Sequence, residues 1–225
     1  TRAEFANRRR TGMLIDGAAE DGWFAFDFTL AEIKTLRAKQ AFGERPQQFN
    51  GKFEIPTFDE VIQLAKRKGK EVGRVIGVYP ETKHPTLHRK LGLPLERKLV
   101  HALTHAGWNY REAPVFIQSF EQGNLKALRK MTRVELVQLV DADDVNADGS
   151  MSLVAPYDKP YDFAKNSDPR SFADLLSAEG LAFVKTYADA IGPWKPYLVK
   201  TVADGVDRNG DGSVNINDRQ VVGST

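Results

Sequence analysis

Apolar positions along the chain follow two alternating rhythms, a helical spacing and short unbroken runs. Thr29-Leu-Ala-Glu32 reads as a capping box, with Leu30, Ile33 and Leu36 behind it at helical spacing. Thr57-Phe-Asp-Glu60 is a second box, leading into Val61, Ile62 and Ala65, with the helix fading at Lys68-Gly69. Val75-Ile-Gly-Val-Tyr79, closed by Pro80, reads as a buried strand. Pro94 then opens a helix carrying Leu95, Leu99, Leu103 and Ala106, which Gly107 stops. The alternation continues with a strand over 115–120, a helix over 121–131 and a strand over 136–140. A long polar loop runs from Asp141 to about Pro169. Ser171 or Ser177 starts more helix, with Leu181 and Val184 inward, and Tyr187–Ile191 forms a last short strand ended by Gly192-Pro193.

Strand and helix in alternation with short connections imply parallel strands joined by crossovers. A doubly wound sheet or a (β/α)8 barrel could hold about four such strands. No glycine-rich turn follows any of them, so a dinucleotide site has no support. The expectation is therefore an α/β chain built as a (β/α)8 TIM-type barrel, with its functional groups at the C-terminal ends of the strands.

Composition narrows the picture. The chain has 225 residues, 41% apolar and 28% charged, with a net charge of +2. These are globular values, and the length suits one domain over 1–225. The near balance of charge argues against a nucleic-acid partner. Arg8-Arg9-Arg10 reads as a solvated face. Cysteine is absent, which removes thiol catalysis, zinc thiolates and disulfides. No apolar stretch approaches the ~20 residues of a membrane helix, and the first residues do not form a signal peptide. The chain starts at Thr1 rather than Met, and reads as a fragment or a mature form.

The residues just past the first strand carry candidate chemistry. Glu81 offers a hard oxygen ligand for Mg²⁺ or Ca²⁺. Lys83, two residues on, shares its side if the chain stays extended. A carboxylate-held cation beside an ammonium makes a phosphate site; an exposed Glu–Lys pair in a loop is the plainer alternative. Gln118 and Ser119 close the next strand and could bond substrate oxygens, or serve as ordinary strand-end polar groups. Of the four histidines, His101 and His105 lie four apart on one helix without the glutamate of a zinc protease and read as surface residues. His84 and His88 have no assigned role.

Five ordered blocks, FDFTLAEIKTLRAKQAF, FEIPTFDEVIQLAKR, IGVYPETKHP, VFIQSFEQGNLKALRK and TYADAIGPWKPYL, resemble the glycerophosphodiester phosphodiesterase family, in particular its larger periplasmic-type members. The resemblance implies a barrel that hydrolyses glycerophosphodiesters to an alcohol and glycerol 3-phosphate. It also implies a Ca²⁺ or Mg²⁺ ion on three carboxylates and two histidines as acid and base. Glu81 matches the third metal carboxylate and Lys83 the phosphate-contacting lysine. Gln118 and Ser119 fall in the substrate block, and Trp194 falls where the glycerol side would be lined. The family's His-Arg-Gly start, its Glu-x-Asp metal pair and its later His-Asp do not occur here, and no histidine of this chain aligns with a catalytic one. Those motifs should precede the block near Phe5, and the closing strands should follow Thr225. A chain holding only the middle of a barrel is expected to expose its edge strands, bind metal weakly and turn over little.

A second feature is independent of that resemblance. Asp207, Asn209, Asp211, Ser213, Asn215 and Asp218 occupy positions 1, 3, 5, 7, 9 and 12 of a calcium loop, with Gly212 at position 6. Asp at the last position resembles the dockerin loop. Asp144-Val-Asn146-Ala-Asp148-Gly149-Ser150 begins the same way but reaches Ala155 at position 12. The 207–218 stretch is thus expected to bind a structural Ca²⁺ as an insertion. A non-enzymatic, calcium-dependent interaction module is the competing reading of the whole chain. The resemblance to periplasmic-type members implies a periplasmic or extracellular location.

Overall fold

The computed structural model of the chain describes residues 2–224. They form two compact units, Thr1–Ile76 and Gly77–Thr225.

In the first unit, a 3-10 helix over Ala3–Arg8 leads into an antiparallel hairpin of β1 (Arg10–Ile15) and β2 (Ala18–Gly22). Asp16 and Gly17 make the turn with φ of 48° and 94°. Two positive φ values match the twist of the paired strands, and Asp-Gly tolerates them. Arg8 is half-buried and Arg9 and Arg10 are exposed, and the run makes ion pairs as well. The three arginines pair with Glu32, Asp21 and Asp27 respectively. Each also covers an aromatic ring: Arg8 those of Phe5 and Phe28, Arg9 that of Trp23 and Arg10 that of Phe26. Both expected capping boxes form, Thr29 with Glu32 ahead of α1 (Leu30–Lys34) and Thr57 with Glu60 ahead of α2 (Phe58–Glu71). α2 passes Lys68-Gly69 without fading. A Cβ on Gly69 would lie 2.9 Å from the Arg74 carbonyl, so this glycine serves close packing. The helix ends instead before Gly73, at φ +66°.

The second unit holds a three-stranded parallel sheet in the order β3 (Phe116–Ser119), β4 (Glu135–Val140), β7 (Ala190–Pro193). Before β3 come α3 (Pro85–Lys90) and α4 (Glu96–His105). α5 (Gln122–Arg129) links β3 to β4. Between β4 and β7 lie a small hairpin of β5 (Asp144–Val145) and β6 (Met151–Ser152), then α6 (Tyr161–Lys165), α7 (Phe172–Leu176) and α8 (Ala178–Val184). Both Ser171 and Ser177 cap a helix. The core is apolar and strand-centred: Val115, Ile117, Leu125, Leu128 and Leu136 are fully buried. Each such side chain contributes about 1.5–3 kcal/mol by leaving water.

Several expectations are corrected. Val75–Tyr79 is not a buried strand. It contributes a single parallel bridge at Val78↔Val115, followed by one at Glu81↔Gln118 beyond Pro80, and Val75 is 74% exposed. Among the described residues this segment has a partner on one side only, and Pro80 lacks the N–H to extend a ladder. The last strand lies over Ala190–Pro193 rather than 187–191, because Tyr187 and Ala188 are buried where α8 ends. Asp189 opens that strand: its N–H donates to Leu136 O at 2.8 Å, and its Oδ2 accepts from Leu136 N at 2.9 Å. Two unexpected strands, β8 (Val199–Val202) and β9 (Gln220–Ser224), form a hairpin around the 207–218 loop. No closed barrel is present among the described residues; the observed architecture is an α/β sheet whose strands follow chain order.

Candidate functional site

The parallel register places Glu81, Gln118, Val137 and Ala190 in one row across four neighbouring segments. The residues following that row form a rim at the C-terminal strand ends, where Lys83, Asp141 and Trp194 stand. Glu81 and Lys83 share a side, as alternation requires. Lys83 Nζ lies 4.0 Å from Glu81 Oε1, and the two side chains are 61% and 28% exposed.

Thr82, between them, points inward and is buried. Its N–H donates to Gln118 O at 3.1 Å and its Oγ1 to Asn124 Oδ1 at 2.6 Å. Asn124 Nδ2 donates to Glu96 Oε1 at 3.0 Å, and Arg89 Nη2 to the same oxygen at 2.6 Å. This chain of buried polar groups fixes the backbone from which Glu81 and Lys83 project. Burial acts to raise the Glu96 carboxyl, but its own amide, Asn124 and Arg89 outweigh it and hold the group below the usual carboxylate range. Glu121, also buried, accepts from Thr86 N at 3.1 Å and so ties α3 to the end of β3.

Gln118 is half-buried, and its Nε2 donates to Tyr79 O at 3.1 Å. Ser119 is fully buried. Its hydroxyl donates to Thr82 O at 3.3 Å and accepts from Glu121 N at 3.2 Å, so it braces the Glu81–Lys83 turn from below. Trp194 follows β7, half-buried, and its N–H donates to Val140 O at 2.8 Å. The reading of the sequence missed Asp141, which directly follows β4. Burial raises its carboxyl, against the Ala142 amide and the Lys83 charge, which lower it. Tyr197 Oη donates to Asp141 O at 2.9 Å. His84 adopts φ 58° at the start of α3, and its carbonyl receives His88 Nδ1 at 3.0 Å. His101 and His105 are exposed on α4. Among the described residues no three His, Asp or Glu side chains gather into a group able to hold a metal, so Glu81 supplies a single donor at the rim.

The glycerophosphoryl diester phosphodiesterase family model matches residues 9–196. The chain belongs to that family. It is 35% identical over 208 residues to a glycerophosphodiester phosphodiesterase of Arabidopsis thaliana, covering 87% of this chain and 50% of the relative. It is 27% identical over 192 residues to one of Haemophilus influenzae and 24% over 193 to one of Treponema pallidum, covering 77% and 79% of this chain and 50% and 52% of those relatives. The chain thus spans about half the length of the curated relatives it matches. The rim residues, Asp141 included, all fall inside the family match.

The 207–218 loop lies outside it. Its side chains fold the loop on itself. Asp207 accepts from Gly210 N at 2.7 Å and Gly212 N at 2.9 Å; Asn209 accepts from Asp211 N at 2.9 Å, and Asp211 from Ser213 N at 2.8 Å. Buried Asp218 accepts from Arg208 N at 2.9 Å, Asn209 N at 3.1 Å and Asn215 N at 3.0 Å, and Asn215 caps the 3-10 turn Ile216–Asp218. These three carboxylates do not converge into a metal-holding group. The earlier loop forms the tip of the β5–β6 hairpin, where Asp148 accepts from Ser150 N at 2.9 Å. Arg219 joins the two loops, donating to Asn146 O at 2.6 Å and to Thr201 Oγ1 at 2.9 Å. No helix among the described residues is long and apolar enough to cross a membrane.

Proposed function

We propose that this chain carries the phosphate-binding rim of a metal-dependent hydrolase that splits glycerophosphodiesters into an alcohol and glycerol 3-phosphate. The observation that carries this reading is the Glu81–Lys83 pair, set side by side at a strand end in a member of this family. Lys83 donates to a phosphate oxygen and neutralises it. Glu81 serves as one carboxylate of a Ca²⁺ or Mg²⁺ site, Gln118 and Trp194 line the substrate, and Ser119 acts through the turn it braces.

Charge arithmetic supports the cation. Glu81 and Asp141 outweigh Lys83, leaving the rim at −1 against a diester of the same sign, and a divalent ion reverses that repulsion. Family members generally use a divalent metal. The described residues do not make a complete cation site, so turnover by this chain alone is expected to be slight. The sheet reads as a stretch of a (β/α)8 barrel, and the location as periplasmic or extracellular. Titration of the chain with glycerophosphocholine in millimolar Ca²⁺ or Mg²⁺ tests the reading: binding should appear and should weaken on chelation. No binding under either ion would contradict it. Glycerol 3-phosphate release at the rate of a full-length relative would contradict only the expected slight turnover.

We also propose that the 207–218 loop takes a structural Ca²⁺ through Asp207, Asn209, Asp211, Ser213, Asn215 and Asp218. The oxygens of Asp207, Asn209 and Asp211 already accept from backbone N–H groups of the loop, which supports a tight turn at the ligand positions. Saturating Ca²⁺ is expected to raise the melting temperature by a few degrees, on the scale of about 1–2 kcal/mol, and Asp207→Ala to remove the rise. An unchanged melting curve would set the loop aside as an acidic turn.

A further inference from the structure

We propose that Asp141 is a specificity-determining residue of the rim, its carboxylate accepting hydrogen bonds from the free hydroxyls of the glycerol moiety while Lys83 takes the phosphate. The inference rests on the phosphate reading of Lys83 and adds the side of the substrate that the rim recognises.

Position comes first. Asp141 is the residue after β4, and Trp194 the residue after the neighbouring β7. The backbone around Asp141 is gripped twice, by Trp194 N on the Val140 carbonyl at 2.8 Å and by Tyr197 Oη on the Asp141 carbonyl at 2.9 Å. Its side chain is therefore presented from a fixed base, half-buried, with the Tyr197 phenol against its own backbone carbonyl. Burial and the Asp141 charge together push the Tyr197 hydroxyl up to about 12, which keeps it a donor at neutral pH.

Charge then decides what Asp141 can do. A carboxylate within the field of Lys83 repels a phosphate and cannot assist in holding one. Its chemistry at this rim is acceptance, and vicinal hydroxyls are the donors a glycerophosphodiester brings. Polar recognition of this kind discriminates strongly, because an analogue without the hydroxyls takes water from a half-buried carboxylate and returns no donors in its place.

The test compares sn-glycerol 3-phosphate with propyl phosphate, which keeps the charge and length but lacks the hydroxyls. Affinities are measured by calorimetry on the 225-residue chain in Ca²⁺. The unsubstituted chain is expected to favour sn-glycerol 3-phosphate, and Asp141→Ala to lower that preference about ten-fold. Propyl phosphate should bind the variant as well as before, or better, since a repulsive charge is gone. Asp141→Asn, which keeps the shape and one acceptor oxygen, should fall between the two and covers the case of a poorly folded alanine variant. Equal loss of both ligands, or an unchanged preference, overturns the inference and leaves the phosphate reading standing. Failure of both ligands to bind, or binding of sn-glycerol 3-phosphate indifferent to Lys83→Met, overturns both.

Discussion

Glu96→Ala is expected to lower the unfolding free energy by about 2–3 kcal/mol in urea at neutral pH. Glu96 is buried, and it holds Asn124, which is buried more deeply still. Removing the carboxylate leaves the Asn124 amide without its acceptor at 3.0 Å and releases Thr82, bonded to the other end of the same amide at 2.6 Å. Arg89 adds less, because its exposed guanidinium regains water when the pair is lost. The pH dependence has a definite sign. The folded Glu96 carboxyl lies below its ordinary value of 4.5. Its stabilisation is therefore full above that pH and disappears as the pH falls through the lower folded value. Glu96→Gln should accordingly flatten the acid limb of the stability curve below about pH 4.5. Equal acid sensitivity in Glu96→Gln and the unsubstituted chain would show that the carboxylate charge does not support this network.

The second large effect is on binding. Lys83→Met is expected to weaken sn-glycerol 3-phosphate at least about ten-fold, the scale of a hydrogen bond to a charged group. The urea midpoint should not move, because the 61% exposed ammonium stands 4.0 Å from Glu81 Oε1 and such surface pairs contribute little. This separation of affinity from stability distinguishes Lys83 from Glu96, whose replacement should disturb the fold first. Unchanged affinity in Lys83→Met would remove the phosphate role.

What could be read from the residues was local. Thr29 with Glu32, Thr57 with Glu60, and Ser171 and Ser177 declared their helices because a cap is settled within four residues. Glu81 and Lys83 were legible for the same reason, since alternation alone puts them on one side. The Asp16-Gly17 turn was equally local and went unread, because its flanks alternate only weakly. Other features depend on distant partners. The last strand begins at Ala190 because Asp189 bonds Leu136, 53 residues away. Thr82, Asn124 and Glu96 become a unit only when three segments meet, and nothing in their spacing announces it. Asp141 heads an acidic stretch, Asp141-Ala-Asp-Asp144, in which sequence cannot tell the residue on the rim from those in the loop beyond.

Backbone amide shifts of the isotope-labelled chain during titration with sn-glycerol 3-phosphate in Ca²⁺ test the rim most directly. The expected perturbations fall at Glu81, Lys83, Gln118, Asp141 and Trp194, carried on four neighbouring segments of the sheet. Perturbations confined to Arg8–Arg10 or to the 207–218 loop, with these five residues unmoved, would contradict the assignment.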